Sequence, residues 1–159
     1  MPMTPAQVET MRELLRASRV LSLALIVEEA PVNGLLPFAV TPDFRALVVH
    51  ASRLARHTKG LHDGAPFDAL LHEPVVGEID ALQVKRVTLR GVVRVPDHGT
   101  PAYEALRAVY LMKFPEAEPI TALGDFAFYV LLIEGGRLVT GFGAAANVTQ
   151  ETLETLQAT

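Results

Sequence analysis

Lys85-Arg86-Val87-Thr88-Leu89-Arg90-Gly91-Val92-Val93-Arg94-Val95 is the clearest alternating segment of the chain. Successive side chains of a strand point to opposite faces, so Arg86, Thr88, Arg90 and Arg94 share one side and Val87, Leu89, Val93 and Val95 the other. One wet face and one apolar face is the pattern of an antiparallel sheet.

Upstream, Val20 to Glu28, Leu35 to Thr41 and Arg45 to His50 read as strands. Pro31-Val32-Asn33-Gly34 and Pro42-Asp43 supply turns between them, which implies an antiparallel meander. Phe67 to His72 is a further strand. Downstream, Phe126 to Ile133 and Arg137 to Phe142 form a hairpin that turns on Gly135-Gly136. Helices sit at the margins. Thr4 caps the first, with Pro5 at its first position, Gln7 placed for a capping box, and Val8, Met11, Leu14 and Leu15 as its apolar stripe up to Ala17. Pro101 opens another through Met112, with Tyr103, Leu106, Val109 and Tyr110 on one side, and Thr149 caps a last short one with Glu151 and Glu154 near its positive end. Six or seven short strands with peripheral helices predict a closed or half-closed β-barrel. With 159 residues and no repeat or long linker, a single domain over residues 1–159 is expected.

Half of the residues are apolar and the net charge is -4, a globular composition that argues against non-specific nucleic-acid binding. The lack of cysteine excludes disulfides, thiolate metal sites and thiol nucleophiles, and fits a reducing compartment. No apolar stretch reaches the length of a membrane helix (Val20 to Val27 is only eight residues, interrupted by Ser22), and the N-terminus lacks the regions of a signal peptide. A cytoplasmic protein without membrane contact is expected.

Against that acidic background, Arg53, Arg56 and Lys59 cluster after the Arg45–His50 strand, with His50, His57 and His62 around them and no carboxylate before Asp63. Ser52 is a good N-cap, so a helix opening at Arg53 is expected. Cations at a helix start oppose the macrodipole unless an anion sits among them, and N–H groups with Ser, Thr, Arg and Lys make a phosphate site. Either the segment holds a cofactor's phosphate or it is a solvated basic face. The histidine spacings match no compact metal-ligand set. Gly141-Phe142-Gly143 lacks the strand–loop–helix context and lysine of a P-loop, and reads better as a bend. No residue pattern demands a general acid, base or nucleophile.

Ser52 to Leu61, Lys85 to Gly91, and Gly124-Asp125-Phe126-Ala127-Phe128-Tyr129 leading to Gly141-Phe142-Gly143-Ala144-Ala145 occur in an order and spacing that resembles a known family. It is the FMN-binding split-barrel family related to pyridoxamine 5′-phosphate oxidase, with the haem-utilisation branch the most similar. The resemblance runs from about Arg12 to Ala145. It implies a six-stranded antiparallel split barrel that dimerises, with FMN at the subunit interface and oxidoreductase chemistry on a small molecule. Carried over by position, His50 and Ala51 line the strand end, Ser52 lies near the phosphate, and Thr58 and Lys59 contact it. Arg53, Arg56 and His57 fall in the same segment, Pro37, Phe38, Ala39 and Val40 pass under the flavin ring, and Arg86 reaches the flavin or its phosphate. The chain departs from the oxidases proper, which carry a tryptophan near the flavin and a late Arg and His; it has no Trp, and neither Arg nor His after Arg137. A pyridoxamine-phosphate oxidase is therefore not expected. The alternatives are a haem-binding or haem-degrading protein of the same fold, although His98 is the last histidine, and a non-catalytic dimeric module for another phosphorylated ligand.

Overall fold

A computed structural model describes residues 1–158; Thr159, the last residue of the expected domain, lies outside the described residues. Seven antiparallel strands follow: β1 (Val20–Val27), β2 (Ala30–Val40), β3 (Ala46–Ser52), β4 (Pro66–His72), β5 (Arg86–Arg94), β6 (Phe126–Gly141) and β7 (Ala144–Val148). They lie in the order β3-β2-β1-β4-β5-β6-β7, and β3 also pairs with β6. That extra pairing closes a six-stranded barrel and leaves β7 outside it on β6, as the alternation of the strands predicts.

The barrel interior is filled by every second residue of each strand. Leu21, Leu23 and Leu25 of β1, Leu47 and Val49 of β3, Val87 and Leu89 of β5, and Leu131 and Leu138 of β6 are all buried in one cluster. Helix α1 (Pro5–Ala17) adds Val8, Met11, Leu14 and Leu15 to it. Its start has the predicted form: Thr4 accepts from the Gln7 N–H, and the Gln7 side chain accepts from the Thr4 N–H. Helix α4 (Gln150–Gln157), capped by Thr149, packs on α1 through Leu153 and Leu156, and Arg12 Nη2 donates to the Leu156 carbonyl at 3.1 Å. A second, outer layer lies under α2 (Pro101–Lys113): Tyr103, Tyr110 and the following Phe114 cover Ala39, Val48 and Phe128. A four-residue helix, α3 (Glu118–Thr121), leads into β6.

Several expectations are corrected by the structure. The Pro31–Gly34 turn does not form; β2 runs straight through it, and the chain reverses at Glu28 and Glu29, both left-handed (φ 53° and 64°) between the paired Val27 and Ala30. Strand β2 meets β3 only over Phe38–Val40, so its earlier residues form an edge on that side, where proline is tolerated. Gly135-Gly136 is no hairpin turn. Strand β6 is continuous across it, and the reversal comes at Phe142-Gly143, where Gly143 has φ +75°.

Gly136, like Gly91 on β5, serves a close approach instead. A Cβ on Gly136 would lie 2.1 Å from the Thr88 carbonyl oxygen, and one on Gly91 only 1.8 Å from that of Leu132. Gly91 sits where the β5–β6 register shifts: Arg90 pairs with Gly135 but Gly91 with Ile133, leaving Glu134 over as a bulge. Strand β5 ends at Arg94, and Val95 beyond it is exposed.

Candidate functional site

Strand β3 runs on to Ser52 because Ser52 pairs with Phe126, the first residue of β6. The Arg53 N–H then donates to the Asp125 carbonyl at 2.6 Å, holding the chain out of a helix. No α-helix opens at Arg53, contrary to expectation; a 3-10 turn spans Arg56–Gly60 with Ala55 as its cap. Ser52 shapes the turn before it: its hydroxyl accepts from the Leu54 N–H, and its carbonyl accepts from the Ala55 N–H and, at 2.5 Å, from the Thr58 hydroxyl. The segment is folded back on β1 and β2 by two glycine contacts. A Cβ on Gly60 would meet Leu25 at 2.7 Å, and one on Gly34 would meet the His57 ring at 2.8 Å.

Arg53, Arg56 and Lys59 are exposed on this segment, and none forms an ion pair among the described residues. Arg53 Nη1 donates to the Gly124 carbonyl at 3.1 Å. Thr58 is buried with its proton committed to Ser52, so it braces the loop. His57 is half-buried, its pKa lowered by burial, and its Nε2 is enclosed without a hydrogen-bond partner.

His50 is also enclosed, 6% exposed, in an aromatic box. Phe126 stacks on it at 5.1 Å between ring centroids, Phe128 lies at 4.5 Å and Tyr110 at 5.5 Å. Burial pushes its pKa down to about 4, so the ring is neutral, and its Nε2 is also unpartnered. Buried polar atoms are nearly always satisfied, and His50 Nε2 and His57 Nε2 are, with Arg12 Nε near α4, the buried side-chain polar atoms without a partner among the described residues. The neighbouring Tyr103 hydroxyl accepts from the Phe128 N–H at 3.3 Å. Burial raises the Tyr103 pKa, while that N–H and the Arg53 guanidinium oppose the rise.

The structure brings His50 and Ser52–Lys59 together at one end of β3. Ala51 faces the barrel interior and can offer this end only its backbone. Pro37–Val40 lie on the neighbouring strand, with Ala39 opposite Val48; at 3.3 Å per residue this strip is ~13 Å from Ser52 along β3. The Phe38 ring points inward and is fully buried. Arg86 is elsewhere: it pairs with Val139 near the far end of β6 and donates to the Val84 carbonyl at 2.9 Å. The aromatic box around His50 was legible only as apolar residues of α2 and β6, because its assembly depends on α2 crossing the barrel. Among the described residues, no group of acidic and histidine side chains could hold a metal ion, and no helix is long and apolar enough to cross a membrane.

A closed six-stranded antiparallel barrel is the fold this chain shares with split-barrel proteins related to pyridoxamine-phosphate oxidase. Among solved structures, the match to a Clostridium acetobutylicum protein of the pyridoxinephosphate oxidase family has a TM-score of 0.69 at 11% identity, covering 95% of this chain and 99% of that one. A haem-binding protein from Mycobacterium smegmatis matches with TM-score 0.81 and 27% identity over 96% of this chain, which spans 62% of that protein's length. HutZ, a haem storage protein from Vibrio cholerae, matches with TM-score 0.70 and 21% identity, over 84% of this chain and 92% of that one. Two of these neighbours are haem proteins, in line with the haem-utilisation branch that the sequence resemblance named. No family model matches the chain, and no curated protein does.

Proposed function

We propose that this chain is a cytoplasmic, homodimeric flavoprotein that binds FMN non-covalently and acts as an oxidoreductase on a small molecule. The observation that carries the reading is the Ser52–Gly60 turn: three cations without carboxylate partners on a loop braced from within, flanked by the orphaned nitrogens of His50 and His57. Ser52, Arg53, Arg56, His57 and Lys59 would hold the phosphate, with Thr58 keeping the turn in shape. Pro37–Val40 would back the ring, and His50 would donate or accept at the strand end. Arg86 would reach the site of a second copy, since within its own chain it lies toward the other end of β6.

FMN supplies hydride or electron transfer when bound; the side chains here anchor, orient and exclude water. No side chain is assigned a proton-transfer role.

A second reading, haem binding, is favoured by the 27% identity to the mycobacterial haem-binding protein. An absorption spectrum of the protein as purified, followed by titration with FMN, FAD and haem, separates the two. A flavin spectrum and saturable FMN binding are expected. A Soret band with no flavin affinity would replace the first reading by the second, and no binding of any of the three would overturn both.

A further inference from the structure

We propose a second ligand site: the cleft between the C-terminal turns of α1 and α2 binds a small anion with an apolar body, of the aromatic-carboxylate class. The cleft has a volume of about 310 Å³ and is walled by Leu15 and Arg16 of α1, Val40 and Pro42 at the end of β2, Phe44, and Lys113 of α2. Small-molecule pockets are apolar concavities of roughly this size or more with a few placed polar groups.

Charge selects the ligand. No residue lining the cleft is acidic, and neither Arg16 nor Lys113 forms an ion pair among the described residues. The adjacent Arg19, by contrast, is paired with Glu116 at 2.9 Å. Asp43, beside the cleft, is engaged by the Thr41 hydroxyl at 2.7 Å and the Arg45 N–H at 3.0 Å.

Both cations are placed over aromatic rings. The Arg16 guanidinium lies 5.0 Å from the Phe44 centroid and Lys113 Nζ 4.2 Å from that of Phe38. Lys113 donates one proton to the Ser18 carbonyl, which leaves two donors for a carboxylate. Burial, then the like charge of Arg19, pushes its pKa down to about 8.

The wall itself is held under strain. Phe44 is an aromatic residue at φ 58°, a left-handed conformation such side chains rarely adopt, yet its ring is 2% exposed and its N–H donates to the Thr41 carbonyl at 2.9 Å. The left-handed backbone sets the ring under Arg16. Ala39 and Val40 line the cleft and also belong to the strip proposed for the flavin ring. Adjacency to a flavin rests on that reading; the anion site does not.

The test is a titration of the full chain with benzoate and with benzamide, followed by amide NMR. Benzoate is expected to shift Val40, Phe44 and Lys113 and to bind about tenfold more tightly than benzamide. Lys113→Gln and Arg16→Gln should each cut benzoate affinity several-fold and leave that of benzamide unchanged. Arg16 is exposed, so its variant folds even if that of Lys113 does not. Equal affinities, shifts confined to other regions, absence of benzoate binding, or binding that survives both substitutions would overturn the site. FMN titrations of the same variants should show unchanged affinity, which separates failure here from failure of the flavin reading.

Discussion

His50 makes the stability of the barrel depend on pH in a way that can be isolated. Its pKa falls from the usual 6.5 to about 4 because the ring is buried among Tyr110, Phe126 and Phe128 without a partner for Nε2. A histidine depressed in the folded state binds its proton more readily when unfolded, so stability is full above the unfolded value and is lost as pH falls toward the folded one. At 1.36 kcal/mol per pKa unit, the loss between neutral pH and about pH 4 approaches ~3 kcal/mol, a large part of a domain's total of about 5–15 kcal/mol.

His50→Phe keeps an aromatic ring in the box and removes the titration. Urea unfolding at about pH 7.5 and about pH 4.5 should show the variant as stable as the parent at the higher pH and ~2–3 kcal/mol more stable at the lower. The other shifted groups, Asp68 (raised by burial) and His57 (lowered by burial), are common to both proteins and cancel in the difference. Parallel loss of stability in parent and variant would mean that His50 is not the group that titrates.

Further outcomes follow from the contacts. Gly136→Ala and Gly91→Ala each drive a Cβ into a carbonyl across the β5–β6 bulge and should lower unfolding free energy by about 1–3 kcal/mol or more, measured by urea melts. Gly124→Ala, with open space around it, should change little in the same melts. Thr58→Val removes the bond to the Ser52 carbonyl; about 1 kcal/mol of stability should be lost, and FMN affinity should fall although no charge is removed, as read by flavin fluorescence quenching.

What could be read from the sequence is what is local. The Thr4-Pro5-Gln7 cap, the Thr149 cap and the alternation of β5 all appear where the residue pattern puts them, because each depends on neighbours within a few positions. The misreadings share one cause. Gly136 and Gly34 look like turn residues, yet they are glycine because Thr88 and His57, distant in the chain, come too close for a Cβ. The real turn at Glu28-Glu29 carries no turn residue, since the pairing of Val27 with Ala30 forces it. Ser52 looks like a helix cap, but pairing with Phe126 keeps it in a strand. The charges of the Arg53–Lys59 run were legible; the orphaned nitrogens beside them required the fold. Lys113 gave no signal, for its cleft exists only where α1, α2 and the end of β2 meet.

Whether the cations of the turn after β3 hold a cofactor's phosphate is decided by comparing FMN with riboflavin, which differ only in that group, on the parent chain and on an Arg56→Gln, Lys59→Gln variant. FMN should bind the parent about a hundredfold more tightly than riboflavin, and the double substitution should remove most of this difference while leaving riboflavin affinity unchanged. Equal affinities for the two flavins in the parent, or a preference for FMN that survives in the variant, would contradict a phosphate-holding role for these cations.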